Sequence, residues 1–172
     1  MSEQGHSAGV ADVAASLIAQ LSGRGQTVVV AESLTGGSLT AALVAVPGAS
    51  AVVIGAVIAY NTAIKQSVLG VDPALLASGG AVDAEVARQM AEGVRRVLVV
   101  EGLAADYALA TTGVAGPTPQ DGQPPGTVFI SLAHASGVET RGLRLEGDRG
   151  EIRAAAVTAA LGMLHEHLQQ QP

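Results

Sequence analysis

The chain has no cysteine and no tryptophan among its 172 residues, and it has only one phenylalanine and two tyrosines. Without a thiol, disulfides, thiolate metal sites and every cysteine-nucleophile amidase or protease are excluded. Because aromatic residues are so scarce, a chain that is 48% hydrophobic must build its core from Ala, Val, Leu and Ile. Such small side chains permit close packing of helices against a sheet.

Positive charge is also scarce, and it is not clustered. Nine Lys and Arg residues against fifteen Asp and Glu residues give a net charge of −6, whereas a nucleic-acid partner would demand a basic patch. No N-terminal basic and apolar signal is present, and no apolar run approaches the ~18 residues of a membrane span. We therefore expect a soluble cytoplasmic protein that binds a small molecule, with neither nucleic acid nor membrane as a partner.

Lysine is the rarest of the charged residues. Eight of the nine basic residues are arginine, which leaves Lys65 as the sole lysine. Lysine differs from arginine mainly in being a compact group that can lose its proton. Lys65 is therefore a candidate base, and the alternative is that a bias towards arginine has left one lysine by chance.

One stretch, from Val28 to Thr40, contains a run of apolar residues that leads through two glycines into a helical pattern. Its consecutive β-branched residues are typical of a strand covered on both faces. Gly36 and Gly37 can adopt positive φ, and the N–H groups at the start of the following helix favour an anion. Glu32 is expected to hold this turn by accepting backbone hydrogen bonds rather than to polarise a hydroxyl. The alternative is a capped turn without a ligand.

The order of the predicted elements is typical of an α/β protein. Three strands separated by helices precede an antiparallel hairpin, which predicts a mixed sheet covered by helices on both faces. Residues 1–6 are expected to form a disordered tail, 7–172 a single domain and 118–126 a mobile loop. The predicted strands are Thr27–Ala31, Ala51–Tyr60, Asp106–Thr112, Thr127–His134 and Val138–Leu145.

Polar and charged side chains gather at the ends of these strands, where ligands bind in open α/β sheets. His165 and His167 are two apart, so on a helix they point to different sides and cannot share a metal ion. A Ser-His-Asp triad and a histidine-based zinc site therefore both fit poorly. A hydroxyl nucleophile activated by lysine remains, with Ser33 and Ser50 as the candidates.

Four motifs, in their order and spacing, resemble those of the CinA C-terminal domain family, whose members act as nicotinamide mononucleotide deamidases. The resemblance covers about residues 7–168. It implies a three-layer α/β/α sandwich, a homo-oligomer, no cofactor or metal, and hydrolysis of the nicotinamide carboxamide to nicotinate mononucleotide and ammonia. The motifs are Ala31–Gly37, Tyr60–Lys65, Thr112–Pro117 with Pro125–Val128, and Gly147–Arg149.

The residues and the resemblance together give a hypothesis for the mechanism. A serine hydroxyl attacks the carboxamide carbon, and Lys65 takes its proton and returns it to the leaving ammonia. Tyr60 orients the lysine or relays the proton. Ser50 is favoured as the nucleophile because the resemblance implies a reactive serine there and because the Pro-Gly turn presents it a short distance ahead of Tyr60 and Lys65 in the sequence. Ser33 is the rival.

Substrate contacts are expected from backbone N–H groups of the glycine turns and from a cation that binds the phosphate. Arg149 is that cation, unless it pairs with Asp148 or Glu151 instead. The alternative function is a nucleotide-binding module without turnover, which would bind the nucleotide and release no ammonia. The expected substrate-binding residues are Thr35, Gly36, Gly37, Asn61, Thr112, Gly113, Gly116 and Arg149.

Overall fold

The structure is a computed structural model that describes residues 9–171. The tail expected over residues 1–6 lies outside this range. The helices are α1 Val10–Arg24, α2 Ser38–Val44, α3 Thr62–Ser67, α4 Pro73–Gly79, α5 Ala84–Val97 and α6 Arg149–Gln169. The strands are β1 Val28–Glu32, β2 Val53–Ile58, β3 Val99–Val100, β4 Leu103–Ala104, β5 Tyr107–Gly113, β6 Thr127–His134 and β7 Gly137–Arg144.

Five of the strands form one mixed sheet, in the order β2-β1-β5-β6-β7. The first three are parallel to one another, and β6 and β7 complete the sheet as an antiparallel hairpin. The predicted mixed α/β fold is confirmed. The second strand is shorter than expected, because Ala49–Ala51 form a 3-10 turn before it.

Both faces of the sheet are covered, which makes the fold a three-layer α/β/α sandwich. The central strand β1 shows this directly, since all five of its residues are buried. Val28 and Val30 pack into a core shared with α1, α2 and α6, whereas Val29 and Ala31 pack into a second core shared with α5. Alternate residues of a strand point to opposite faces, so an unbroken apolar run is what two buried faces require.

The helix α5 has a regular amphipathic pattern and ends directly before a separate hairpin. Asp83 caps α5 by accepting from the Glu85 N–H, and the buried stripe includes Val86, Met90 and Val94, as the apolar spacing predicts. The sequence predicts this helix over Asp83–Val99 with Val97 also on the buried stripe, but the helix stops at Val97, which is 41% exposed. The residues that follow form the separate β3–β4 hairpin, whose two turn residues, Glu101 and Gly102, both have positive φ.

The register of the sheet determines which loops meet. The last residue of β1, Glu32, is paired with Ile58 of β2 and with Thr111 of β5. Gly113 at the end of β5 is in turn paired with Val128 near the start of β6. The segments that follow β1, β2 and β5 therefore leave the sheet at one edge.

Within residues 9–171, every helix is either too short or too polar to cross a membrane.

Two glycines in helices give a matched test of how closely the helices pack against their neighbours. A Cβ on Gly93 of α5 would lie 2.0 Å from the Leu69 carbonyl oxygen, whereas a Cβ on Gly162 of α6 would meet nothing within 4 Å. We expect Gly93→Ala to lower the free energy of unfolding by about 1–3 kcal/mol through overpacking. Gly162→Ala should raise it by about 0.5–1 kcal/mol through helix propensity. Urea denaturation measures both, and equal effects of the two variants would contradict the close packing at Gly93.

Candidate active site

A buried amine and a hydroxyl meet where β1 and β2 end. Lys65 lies on α3, which Asn61 caps by accepting from the Ala63 N–H. The Lys65 side chain turns back towards the sheet, where its Nζ lies 2.9 Å from the Ser33 Oγ and 2.6 Å from the Ala59 carbonyl oxygen. Lys65 is only 1% exposed. The predicted pairing of Lys65 with a serine is therefore present, and the serine is Ser33.

Burial changes the acid–base behaviour of this amine. Removal from water disfavours the charged ammonium and lowers the pKa of Lys65 from 10.5 to about 8, while the negative charge of Asp121 acts in the opposite direction. An amine with a pKa of about 8 is neutral in roughly one molecule in ten at pH 7. Lys65 can therefore serve as a base at that pH.

Next to Ser33, a cavity of about 550 Å³ opens at the edge of the sheet. Ser33 is 8% exposed and forms part of the wall, whereas Lys65 lies behind it. Thr118–Gln120 of the loop form another part of the wall, and among the described residues Arg149 is the one charged side chain that lines the cavity. Because the lining formed by residues 9–171 contains a cation and no carboxylate, the cavity favours an anionic ligand.

The turn that carries Ser33 is held from inside by Glu32. The fully buried carboxylate accepts hydrogen bonds from the backbone N–H groups of Gly37, Leu39 and Thr40, and from the Thr40 hydroxyl, at 2.5–3.0 Å. The predicted role of Glu32 as an acceptor of backbone hydrogen bonds is confirmed. The expectation that the α2 N-terminus binds a substrate anion is corrected, because this internal carboxylate already occupies it.

Arg153 holds the same turn from the opposite side. Its guanidinium donates to the Leu34 and Thr35 carbonyl oxygens and to the Ser38 hydroxyl, at 2.8–3.1 Å. A planar group with five donors can satisfy several acceptors at once. The Ser33 turn is therefore fixed at both ends by charged side chains.

Tyr60 and Arg149 are paired with each other across the cavity mouth. Arg149 donates to the Tyr60 hydroxyl at 3.1 Å and to the Gly116 carbonyl oxygen at 2.8 Å, and it pairs with neither Asp148 nor Glu151. Tyr60 is 61% exposed. Its predicted contact with Lys65 is absent from the described residues, so Tyr60 faces the cavity mouth instead of the buried amine.

The preference for Ser50 over Ser33 is corrected by the fold. Ser50 lies in the 3-10 turn before β2, whereas Lys65 follows the other end of that strand. Six strand residues span roughly 20 Å, which puts Ser50 at the opposite edge of the sheet. There Ser50 is exposed and lines a different cavity, together with Thr27 and Asp106.

The other predicted contacts divide into two groups. Asn61, Gly113 and Gly116 line the cavity with Arg149, as expected. Thr35, Gly36, Gly37 and Thr112 do not line it. The buried Thr35 and Thr112 hydroxyls bond to Thr111 and to the Ala81 carbonyl oxygen, and the Gly36 and Gly37 N–H groups donate to the Ser33 carbonyl oxygen and to Glu32.

Asp121 is a neighbour of the site that the sequence did not single out. Its carboxylate accepts from the Ala81 N–H at 2.8 Å, which ties the loop to the segment before α5, and its charge favours the protonated form of Lys65. Asp121 has a positive φ, and an Asp-Gly pair in a loop predicts only a turn. Nothing in the local pattern indicates its long-range contact.

Comparison with known proteins identifies close relatives along nearly the whole chain. The sequence model of the CinA C-terminal domain family matches residues 10–168. A CinA-like protein of Frankia casuarinae is 50% identical over 149 residues, which are 87% of this chain and 33% of that protein. A CinA-like protein of Myxococcus xanthus is 43% identical over 164 residues, 92% of this chain and 37% of that protein. The chain thus spans about a third of the length of these relatives.

Solved structures agree with the fold. The competence damage-inducible protein A of Klebsiella pneumoniae has a TM-score of 0.89 at 32% identity, covering 96% of this chain and all of that chain. The competence/damage inducible protein CihA of Agrobacterium tumefaciens has a TM-score of 0.86 at 35% identity, covering 94% and 96%.

The buried Glu32 carboxylate gives a test of how the turn that carries Ser33 is held. Glu32→Gln replaces one acceptor oxygen with an NH₂ group that faces N–H donors, so we expect the free energy of unfolding to fall by at least about 2 kcal/mol. The exposed Glu146 provides the matched control, since Glu146→Gln should change stability by less than about 0.5 kcal/mol. Urea denaturation compares the two, and a similar small loss for both would show that the carboxylate does not hold the turn.

Proposed function

This chain belongs to the CinA C-terminal domain family, and on this premise we propose that it is an amidohydrolase that converts nicotinamide mononucleotide to nicotinate mononucleotide and ammonia. The observation that carries the proposal is the buried contact of 2.9 Å between the Lys65 Nζ and the Ser33 Oγ, beside a polar cavity. A lysine with a lowered pKa next to a serine is a known means of activating a hydroxyl nucleophile.

In the first half of the proposed reaction, the neutral Lys65 amine takes the proton of Ser33 as the Oγ attacks the carboxamide carbon. The carbonyl oxygen becomes an oxyanion. The N–H group of the residue after a nucleophilic serine often stabilises such an oxyanion. Leu34 holds that position in the cavity wall, and its N–H group has no acceptor within residues 9–171.

In the second half, the Lys65 ammonium returns the proton to the nitrogen, the carbon–nitrogen bond breaks and ammonia leaves. The acyl group then remains on Ser33 as an ester. A water molecule, deprotonated by the same amine, attacks this ester and releases the carboxylate product and the free serine. One base therefore serves both halves of the reaction.

The phosphate of the substrate is assigned to the cavity mouth. Arg149 is exposed there and is held by the Tyr60 hydroxyl and the Gly116 carbonyl oxygen, so its guanidinium is oriented and has further N–H donors without an acceptor among residues 9–171. The α2 N-terminus is saturated by Glu32, which leaves Arg149 as the cation for this role.

A homo-oligomer in the cytoplasm is part of the same proposal. β2 is an edge strand, and the neighbouring β3–β4 hairpin exposes the apolar side chains of Val99, Val100 and Leu103. The Leu98 side chain connects the two, because its Cδ1 lies 3.6 Å from a Cβ position on Gly55. Exposed apolar side chains grouped in this way are typical of an interface between subunits.

The two serines provide a matched test of the reaction. We expect the wild-type chain to release ammonia from nicotinamide mononucleotide and Ser33→Ala to lower kcat/KM by about a thousandfold or more, because the nucleophile is lost. Ser50→Ala should stay within about twofold of the wild type. An ammonia assay with purified protein measures all three.

Two results would count against this proposal. Loss of activity in Ser50→Ala with near-normal turnover in Ser33→Ala would exclude the assigned nucleophile. Binding of the nucleotide by the wild type without ammonia release would favour the module that binds without turnover.

The acid–base role of Lys65 predicts a pH profile. Because the neutral amine is the base and its pKa is about 8, kcat/KM should rise with pH below about 8 and level off above it. Lys65→Arg keeps the positive charge but removes the base, so it should lose activity at every pH. A near-normal rate in Lys65→Arg, or a profile that falls as the pH approaches 8, would contradict the mechanism.

A further inference from the structure

A second group of reactive side chains lies at the end of the sheet opposite Ser33. His134 is the last residue of β6, Glu139 lies on β7, and His167 lies in the last turn of α6. β6 runs from the cavity edge to the opposite edge, and its eight residues span roughly 25 Å. The group is therefore separate from the candidate active site, and it plays no part in the proposed reaction.

The three side chains bring one potential ligand atom each to a common point. These atoms all lie within 4.8 Å of one another. The Glu139 Oε1 is 2.8 Å from the His167 Nδ1 and 3.9 Å from the His134 Nε2. Two ligand atoms bound to one Zn²⁺ at about 2.0–2.1 Å in tetrahedral geometry are separated by about 3.4 Å. Small side-chain adjustments would therefore bring all three atoms to coordination distance.

Hydrogen bonds to the outer nitrogens already orient both imidazole rings. The Ser136 Oγ lies 2.9 Å from the His134 Nδ1, and the Gln171 Nε2 lies 2.8 Å from the His167 Nε2. A metal-bound histidine almost always donates its second ring N–H to an acceptor, which fixes the orientation of the ring and the nitrogen that faces the metal. The Ser136 Oγ can accept such a hydrogen bond, whereas the Gln171 Nε2 is itself a donor. His134 thus has the outer contact that a metal site requires, and His167 gains it when the Gln171 amide turns its Oε1 towards the ring.

The site is also reachable from solvent. The side chains of His134 and His167 are 14% and 12% exposed, whereas that of Glu139 is 42% exposed. The second carboxylate oxygen of Glu139 faces Arg141 at 3.9 Å, which leaves Oε1 directed at the two rings. An ion can therefore enter past the carboxylate and find both imidazoles in place.

We propose that His134, Glu139 and His167 bind one Zn²⁺, with water at the fourth position. Imidazole and carboxylate ligands in this number are typical of zinc sites that keep one position open. The ion would link the β6–β7 hairpin to the C-terminal end of α6, the helix whose N-terminal residue Arg149 lines the cavity at the opposite edge. It would thereby fix the C-terminal end of the last helix to the sheet.

The test is a calorimetric titration of the tag-free full chain with ZnCl₂ after removal of metal by a chelator. We expect one Zn²⁺ per chain, and His134→Ala and His167→Ala should each weaken binding by about a hundredfold or more, while loss of the outer contact in Ser136→Ala should weaken it by about tenfold. The matched control is His165→Ala. His165 lies on the same helix but faces the Ser16 hydroxyl, 3.4 Å away, so binding should be unchanged.

A second measurement, the visible absorption of bound Co²⁺, needs only the wild-type chain. It therefore tests the metal site even if a variant fails to fold. Co²⁺ in a four-coordinate site absorbs visible light far more strongly than hydrated Co²⁺, and Zn²⁺ should abolish this absorption in a one-to-one ratio. Absence of both Zn²⁺ uptake and the cobalt spectrum would overturn the proposal. So would Zn²⁺ binding that persists unchanged in His134→Ala and His167→Ala.

Discussion

The burial of a single amine determines how the candidate active site is built. Lys65 is surrounded by protein at the sheet edge, and among residues 9–171 its amine has only two oxygen partners, the Ser33 hydroxyl and the Ala59 carbonyl. An ammonium there has lost most of its hydration, and two hydrogen bonds do not replace it. The amine responds by lowering its pKa to about 8, with Asp121 opposing the change. The same burial that weakens the charged form therefore makes the neutral form available for proton transfer.

The position of Ser33 beside this amine follows from two rigid supports rather than from the glycine turn itself. Glu32 fills the N-terminal end of α2 with a carboxylate, and Arg153 binds the carbonyl oxygens of Leu34 and Thr35. The backbone N–H groups of the turn thus bind the Glu32 carboxylate, and its carbonyl oxygens bind the Arg153 guanidinium. A helix N-terminus that has been saturated in this way cannot also bind a substrate phosphate. In the proposed function the phosphate is therefore bound by Arg149 at the cavity mouth, where the guanidinium is exposed.

Local patterns predicted the fold because the signals in this chain are periodic. The apolar run of β1 indicated a strand buried on both faces, and the stripe of Val86, Met90 and Val94 indicated α5. The choice between the two serines failed for a geometric reason. Ser50 is closer to Lys65 in sequence, but an entire strand lies between them, whereas Ser33 and Lys65 both follow the carboxyl ends of neighbouring parallel strands. Separation along the chain is therefore a poor guide, and the end of the strand at which a residue lies is the better one.

Contacts between distant segments explain what the sequence could not indicate. The spacing of two residues predicts that His165 and His167 point to different sides of one helix, and they do, since His165 faces Ser16 and His167 faces Glu139. The fold brings His167 to His134 on β6 and Glu139 on β7, which lie 28 or more residues away in the sequence. No periodic pattern links a helix end to a hairpin turn, because their meeting depends on the length and twist of the whole sheet. Ligand sets assembled from three elements therefore have to be sought in the folded chain, where distances between side chains replace spacing as the criterion.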